Sequence, residues 1–539
     1  MKLVQSHWYN FGFFIVFFIS IIFLKININQ YPFWDDESSV SWFASNYNKY
    51  GKIIGYDGNN AFFYRNGALL NEKMEYNNPP LDIYYIALIQ RMFGQGPAIE
   101  RFAFVFIGIL SLGLFCLFLK SFIQNKTHQL ISFTLFALSI NFILFSKNCR
   151  YYALTLFLAL VLMYCILIIQ KIKNLKIIAI LIYGLASNLL FLSHYTQGIF
   201  WIIASTFFYL RISNLSFLDW LKSNRQFLIV NTILFLSTIW FIYTHRVWDR
   251  PDLSLDYSWV KRIGLLSIWL IHDLNRYLLV PLIFIPIGLI LHIKNRNFFS
   301  NEIKALILTT LVFLFLSIVL SPQNVKNSGS FDIRYIYSIL PFLFTITGYF
   351  LVKIIDWNYK IGVVVSIIYI FSSIFFFIPF STPLQIPLVN YLNEKGSSYK
   401  SASSEILKYL DTIVPVRTLA TFPSYFNTQV LDYYSPKFKI THTLDSSSHL
   451  SHTTIIDTLK LSFAKDQNLQ PDLVIIAGDH KKEAIEHGIK LHKYPYCDTL
   501  DVYGGFDVEI YRPELPWHSF KTIENYNKKT EDVYIYRKN

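Results

Sequence analysis

The sequence predicts an all-α polytopic membrane domain followed by an α/β domain outside the membrane. Three observations carry this. Apolar residues make up 53% and charged residues only 15% of the 539-residue chain, against roughly 25% charged in soluble domains. Eleven apolar runs approach the length that crosses about 30 Å of hydrocarbon, near 8–26, 98–119, 129–146, 150–170, 176–193, 196–211, 226–244, 276–293, 304–321, 335–353 and 361–380. Beyond Phe380 the texture turns polar, and short β-rich runs alternate with helical ones.

The first run follows Lys2 and leads into "KININQYPFWDDE" with no small-residue cleavage site. It reads as an uncleaved signal-anchor helix. The run 80–93, "PLDIYYIALIQRMF", is shorter and opens on prolines, so it is expected to lie at the interface. The run 196–211 is short for a span. With the N-terminus in the cytoplasm, the cytoplasmic loops become "KSFIQNKTHQ", "KIKNLK", "RISNLSFLDWLKSNR", "KNRNFFSNEIK" and "KIIDWNYK". Every one has a basic excess, which is the positive-inside pattern. Counting 80–93 as a span would invert all later loops.

This orientation places the loop 27–97, the loop 245–275 and everything after 381 on the outer face. The expected domains are therefore 1–380, transmembrane, and 381–539, external and α/β. In the latter, "VRTLATF", "DLVIIAG", "VEIYR" and "DVYIYR" read as strands. "SSEILKYLDTIV" and "HKKEAIEHGIKLH" read as helices, and the alternation gives the α/β class. The protein is expected in an inner or plasma membrane, with this domain periplasmic or extracellular. The net charge is +13; the basic loops account for part of it, and nothing points to nucleic acid. Cys116, Cys149, Cys165 and Cys497 have neither metal-ligand spacing nor a disulfide framework.

Ionisable residues near a membrane are functional suspects because burying them is unfavourable. Here they gather at the outer ends of spans: "WDDE" at 34–37, "NNPP" at 77–80, "SKNCRYY" at 146–152, "SHYTQ" at 193–197, "THRVWDR" at 244–250 and "FDIRY" at 331–335. The acids come from the first loop and the cations from later helix ends. Carboxylates facing a cluster that holds an anion would form one site at the outer face.

The same motifs carry a family resemblance. Asp36-Glu37 after the first span, Pro79-Pro80-Leu81 before an aromatic helix start, and "RMFGQGPAIERFAFVFIGILSL" resemble the GT-C membrane glycosyltransferases. The resemblance is to the glycosyltransferase family 39-like group of protein O-mannosyltransferases and aminoarabinose (ArnT-like) transferases. "SKNCRYYAL" is similar to that group's Ser-Arg-x-x-Arg-x-Tyr-Ala-Leu element, with Lys147 where an Arg usually stands. "SHYTQ" and "IRYIYSILPFL" are similar to two further elements. The resemblance covers residues 8 to 380.

It implies a polyprenyl-phosphate sugar as donor and a lipid, glycan or protein hydroxyl as acceptor, with inversion at the anomeric carbon. Asp36 matches the family's catalytic Asp, the base that takes the acceptor's proton, and Glu37 beside it is the second catalytic candidate. Arg150, Lys147, Arg334 and His194 are expected to hold the donor phosphate. Asp35, Tyr151, Tyr195 and Tyr335 are expected to support the site or touch the acceptor. No cofactor is required and no metal ligand is assigned, although Asp35, Asp36 and Glu37 are hard donors that suit a divalent ion.

Plainer roles compete with these. The acids suit the start of a helix over "SSVSWFASNY". Arg150 suits snorkelling to the interface, Arg334 an ion pair with Asp332, His194 a hydrogen-bonded core position, and His245 and Arg246 an interfacial anchor. Pro79 and Pro80 suit a helix start, and Asp57, Glu72 and Glu75 suit a solvated loop surface. A flippase for a lipid-linked saccharide is the alternative function. It would place ionisable residues at mid-membrane in repeated arrangement, and the sequence shows neither.

Overall fold

Hydrocarbon offers no water to backbone polar groups, so a span must close its hydrogen bonds internally, and the apolar runs accordingly form helices. The computed structural model describes residues 2–26, 28, 33, 35–58, 60–62, 69–244, 259–278, 288, 290–291, 293, 298–321, 323, 325, 331, 333–374, 402–413, 418–422, 439–440, 470–503 and 530–538. In chain order the helices are α1 (Lys2–Lys25), α2 (Asp35–Tyr50), α3 (Leu81–Phe93), α4 (Pro97–Phe122), α5 (Lys126–Ala137), α6 (Ile140–Lys147), α7 (Tyr152–Lys171) and α8 (Lys176–Ser193). Then follow α9 (Tyr195–Ser213), α10 (Phe217–Ser223), α11 (Arg225–Thr244), α12 (Trp259–Leu278), α13 (Asn301–Val319), α14 (Leu340–Trp357) and α15 (Tyr359–Ile374).

Among the described residues, 7 helices are long and apolar enough to cross a membrane, or 9 if each of two bent pairs counts as one span. The pairs are α5 with α6, bent by 53°, and α9 with α10, bent by 98°. The second bend is local: Asn214 turns left-handed at φ 53°, and the Ser216 side chain caps α10. Nine of the eleven expected runs thus correspond to these helices. Of the others, 361–380 begins with α15, and most of 276–293 lies outside the described residues. The run 80–93 forms α3, 13 residues long and starting directly after Pro80. At 1.5 Å per residue it is too short to span. The expected loop 245–275 needs correction, because α12 occupies its second half.

The chain forms two compact units. One comprises Met1–Ile26, Phe104–His245 and Leu253–Tyr391; the other comprises Asn27–Ala103, Arg246–Asp252 and Leu392–Asn539. The sequence put its boundary at 380 and counted the loop 27–97 with the spans. By compactness the division near the C-terminal side falls at 391, and that loop belongs to the second unit.

In the first unit α7 and α14 are central, with 78% of each span buried, while α1 and α11 are peripheral at 17% and 11%. Helix α7 packs on α8, α9 on α13, and α14 on α5. Aromatic side chains fill the seams: Trp201 lies 5.0 Å from Phe313 and 5.3 Å from Phe342, ring centre to ring centre.

In the second unit α2 packs on α3. The C-terminal part is a mixed sheet with strand order β2-β1-β3-β5-β4. Its strands are β1 (Thr418–Phe422), β2 (Lys439–Ile440), β3 (Leu473–Ala477), β4 (Tyr496–Tyr503) and β5 (Thr530–Arg537). Strands β2, β1 and β3 are parallel, and β5 and β4 are antiparallel to their neighbours. Helices α16 (Ala402–Thr412) and α17 (Lys481–Glu486) accompany them. Ile406 and Leu410 of α16 bury against Leu419, Leu473, Ile475, Val533 and Ile535. The expected strands at 416–422, 472–478 and 532–537 are present. The fourth, at 508–512, lies outside the described residues, and β4 was not expected.

Candidate active site

Helix α2 begins at Asp35, so the acids occupy its first turn, where unpaired N–H groups and the helix dipole favour negative charge. The helix that the plainer reading required is therefore real. Asp36 is half-buried, and its backbone carbonyl accepts the Ser39 hydroxyl at 2.9 Å. Asp35 opens the helix, and its side chain lies outside the described set. Glu37 is buried. Arg101 of α4 grips it with both prongs, Nε to Oε1 at 3.0 Å and Nη2 to Oε2 at 2.6 Å. Both oxygens of Glu37, expected to share the chemistry, thus accept from a guanidinium that is itself buried. The proline pair sets the start of α3, and Glu75 pairs with Lys52 at 3.7 Å on the surface.

The cations lie in the first unit, and three tyrosine- and histidine-bearing turns organise them. Arg150 is half-buried, donates to the Tyr152 hydroxyl at 3.1 Å, and lies 5.4 Å from the centre of the Tyr151 ring. Tyr151 meets His194 edge to face at 4.7 Å, and His194 meets Tyr335 the same way at 5.8 Å. Arg334 lies 5.5 Å from the centre of the Tyr335 ring. A row Tyr151–His194–Tyr335 thus carries a guanidinium at either end.

His194 is the hinge between α8 and α9, ending one and capping the other. Its Nδ1 accepts from the Thr196 hydroxyl at 3.1 Å and the Gln197 amide at 3.4 Å, so the neutral ring carries its proton on Nε2. Gln197 in turn donates to the Arg334 carbonyl at 2.7 Å and accepts from Ser338 at 2.6 Å, while Trp201 donates to Ser338 at 2.7 Å. This buried chain ties the short turn bearing Arg334 and Tyr335 to the start of α9.

Two further expected members have contacts of their own. Lys147 is buried, and its ammonium donates to the carbonyl of Ile26, at the end of α1. Tyr195 packs toward Phe191 at 4.9 Å and Phe241 at 6.5 Å. His245, Arg246 and Asp332 lie outside the described residues.

One residue was missed. Arg262 of α12 is 5% exposed, and its Nε finds no hydrogen-bond partner among the described residues. Burial disfavours its charge, and Tyr335 is the group that acts in the opposite sense. The tyrosine row therefore has a third guanidinium near it. The signal was present in the sequence. Arg262, Leu266 and Leu270 recur at four-residue spacing, and both leucines are buried. The arginine heads the apolar stripe of an amphipathic helix, not its wet face.

Among the described residues no group of three His, Cys, Asp or Glu side chains is placed to hold a metal ion.

This architecture is the GT-C fold of membrane glycosyltransferases. A similar solved structure is ArnT from Cupriavidus metallidurans bound to undecaprenyl phosphate, at TM-score 0.55 and 11% identity over 99% of this chain and 98% of that one. Its apo state matches at TM-score 0.55 and 12% identity with the same coverage. The archaeal oligosaccharyltransferase AglB from Archaeoglobus fulgidus, in complex with an inhibitory peptide and a dolichol-phosphate, aligns at TM-score 0.46 and 10% identity over 88% of this chain and 70% of that one. No family model and no curated protein matches the sequence.

Proposed function

We propose that the protein is an inverting glycosyltransferase that takes a sugar from a polyprenyl-phosphate donor and passes it to a hydroxyl of a lipid, glycan or protein at the outer face of the membrane. The observation that carries this reading is the buried Arg262, whose Nε has no hydrogen-bond partner among the described residues, beside Tyr335 and in the same unit as Arg150 and Arg334. A buried donor left without an acceptor is unfavourable, and a phosphate is the anion that guanidinium forks suit. The ArnT structure with undecaprenyl phosphate supplies the lipid class by analogy of fold.

The chemistry is a single displacement. The acceptor oxygen attacks the anomeric carbon from the face opposite the phosphate. The bond from that carbon to the phosphate oxygen breaks, and its electron pair leaves with the phosphate. Arg150, Arg262 and Arg334 take up the added charge. Asp36 accepts the acceptor's proton as general base. With guanidinium groups taking up the charge, the proposed step requires no metal ion. Lys147 acts as a tie to the end of α1, and Tyr151 and Tyr335 present the cations.

The test is a transfer assay on purified protein with a panel of undecaprenyl-phosphate sugars and with lipid and peptide acceptors, following release of undecaprenyl phosphate. Asp36→Asn preserves shape and removes the base. Turnover is expected to fall by about 10²- to 10⁴-fold while undecaprenyl phosphate still binds. Near-normal transfer by Asp36→Asn, with Asp35→Asn inactive, assigns the base to the neighbouring acid.

A further inference from the structure

Helix α2 is gripped by two consecutive residues of α4. Arg101 holds Glu37 through both oxygens at 3.0 and 2.6 Å. Glu100, fully buried, accepts the Ser41 hydroxyl at 2.9 Å and the Gln90 amide at 3.1 Å on the same oxygen. Glu37 and Ser41 are four residues apart, so they share one face of α2. Arg101 also reaches the chain that leads into the helix: its Nη1 donates to the Ile28 carbonyl at 3.2 Å, and its guanidinium lies 5.3 Å from the centre of the Phe33 ring. One side chain thus holds the segment ahead of Asp36 at two points and the residue directly after it at a third.

The geometry points to Arg101 as a positioning residue that sets the rotation of α2 and thereby the direction of Asp36. This rests on the reading of Asp36 as the base. A helix turns by about 100° per residue. Locking the Glu37–Ser41 face toward α4 therefore turns Asp36 about 100° away from that face, where it is half-buried instead of buried. The fork geometry matters because a bidentate guanidinium fixes an angle, whereas an ammonium fixes only a distance. Glu37 acts through the same lock. Its neighbour needs an accurate position because a displacement of about 1 Å in a reacting group lowers rate by about 10²-fold.

The experiment uses full-length protein in detergent or nanodiscs, and the undecaprenyl-phosphate sugar that wild type turns over fastest. Arg101→Ala is expected to lower turnover by about 10²-fold with undecaprenyl phosphate binding retained, and added guanidinium ion to restore part of the rate. Arg101→Lys keeps the charge without the fork, so it should fold even where Arg101→Ala does not, and still turn over slowly. Combining Arg101→Ala with Glu37→Gln should lose little beyond either alone, because both break one lock. Wild-type turnover in a folded Arg101 variant, beside an inactive Asp36→Asn, overturns the lock and leaves the base in place. Loss of undecaprenyl phosphate binding in Arg101→Lys also overturns it, since Arg101 would then hold the donor directly. Full turnover by Asp36→Asn removes the base assignment itself.

Discussion

Arg262 shows how a residue can be unfavourable for folding and useful for binding. A buried guanidinium nitrogen without an acceptor, as the Nε of Arg262 is among the described residues, destabilises the fold around it, and a bound phosphate removes that imbalance. Arg262→Gln should therefore leave the melting temperature of the ligand-free protein unchanged or raised. It should also weaken undecaprenyl phosphate binding by about 10- to 100-fold, the worth of a charge-assisted hydrogen bond of about 1.5–3 kcal/mol. Thermal unfolding and lipid-binding titration check the two halves, and a lowered melting temperature with intact binding contradicts both. The candidate site residues were unevenly legible. Arg150, His194, Arg334 and Tyr335 stood in short polar motifs at helix ends, which a sequence displays directly. Glu37 and Lys147 stood in the same motifs but are held by partners 64 and 121 residues away. Nothing local in the sequence tells which of the adjacent carboxylates is clasped by a distant guanidinium.

At the level of elements, the α8–α9 junction deserves its glycine. A Cβ on Gly198 would stand 2.6 Å from the Phe191 Cα and 2.9 Å from its nitrogen, so the start of α9 touches the backbone of α8 one turn before His194. Gly198→Ala should push the two helices apart, lower stability by about 1–3 kcal/mol as overpacking does, and tilt the ring that links Tyr151 to Tyr335. Melting and undecaprenyl phosphate affinity should fall together. A stable, fully binding Gly198→Ala would show that the hinge tolerates the displacement. Long apolar helices were readable because their composition alone sets them apart. Helix α12 was not, because Lys261, Arg262, Asp273 and Arg276 interrupt its hydropathy and only the spacing of its apolar residues reveals it. Strand β4 was missed for a related reason. Among the described strands it pairs with β5 alone, and its sequence "YCDTLDVY" carries the acids that suit an edge.

For the whole molecule, the distribution of basic loops predicts an orientation. We expect the loop near Lys173 in the cytoplasm and the segment after Asn390 on the outer face. Reporter fusions at these two points should give opposite sidedness, and the same side at both would break the eleven-span count. The total fold was legible as a class because lipid solvent constrains composition so strongly. The division into units was not. It depends on which segments fold against each other, and residues 27–103 are grouped with 392–539 across almost three hundred intervening positions.

The strand order of the C-terminal sheet has a consequence for biogenesis. Strand β5 is the latest of the five to be synthesised, yet it lies between β3 and β4. Until residues 530–537 emerge from the ribosome, β3 and β4 have no common neighbour among the described strands, and the amide and carbonyl groups of each that face β5 wait for it. Translation that stops short of Thr530 yields a chain whose spans are complete and whose sheet is split. Such a chain exposes adhesive edges to proteases and to other copies, so quality control can recognise an unfinished product by its open seam.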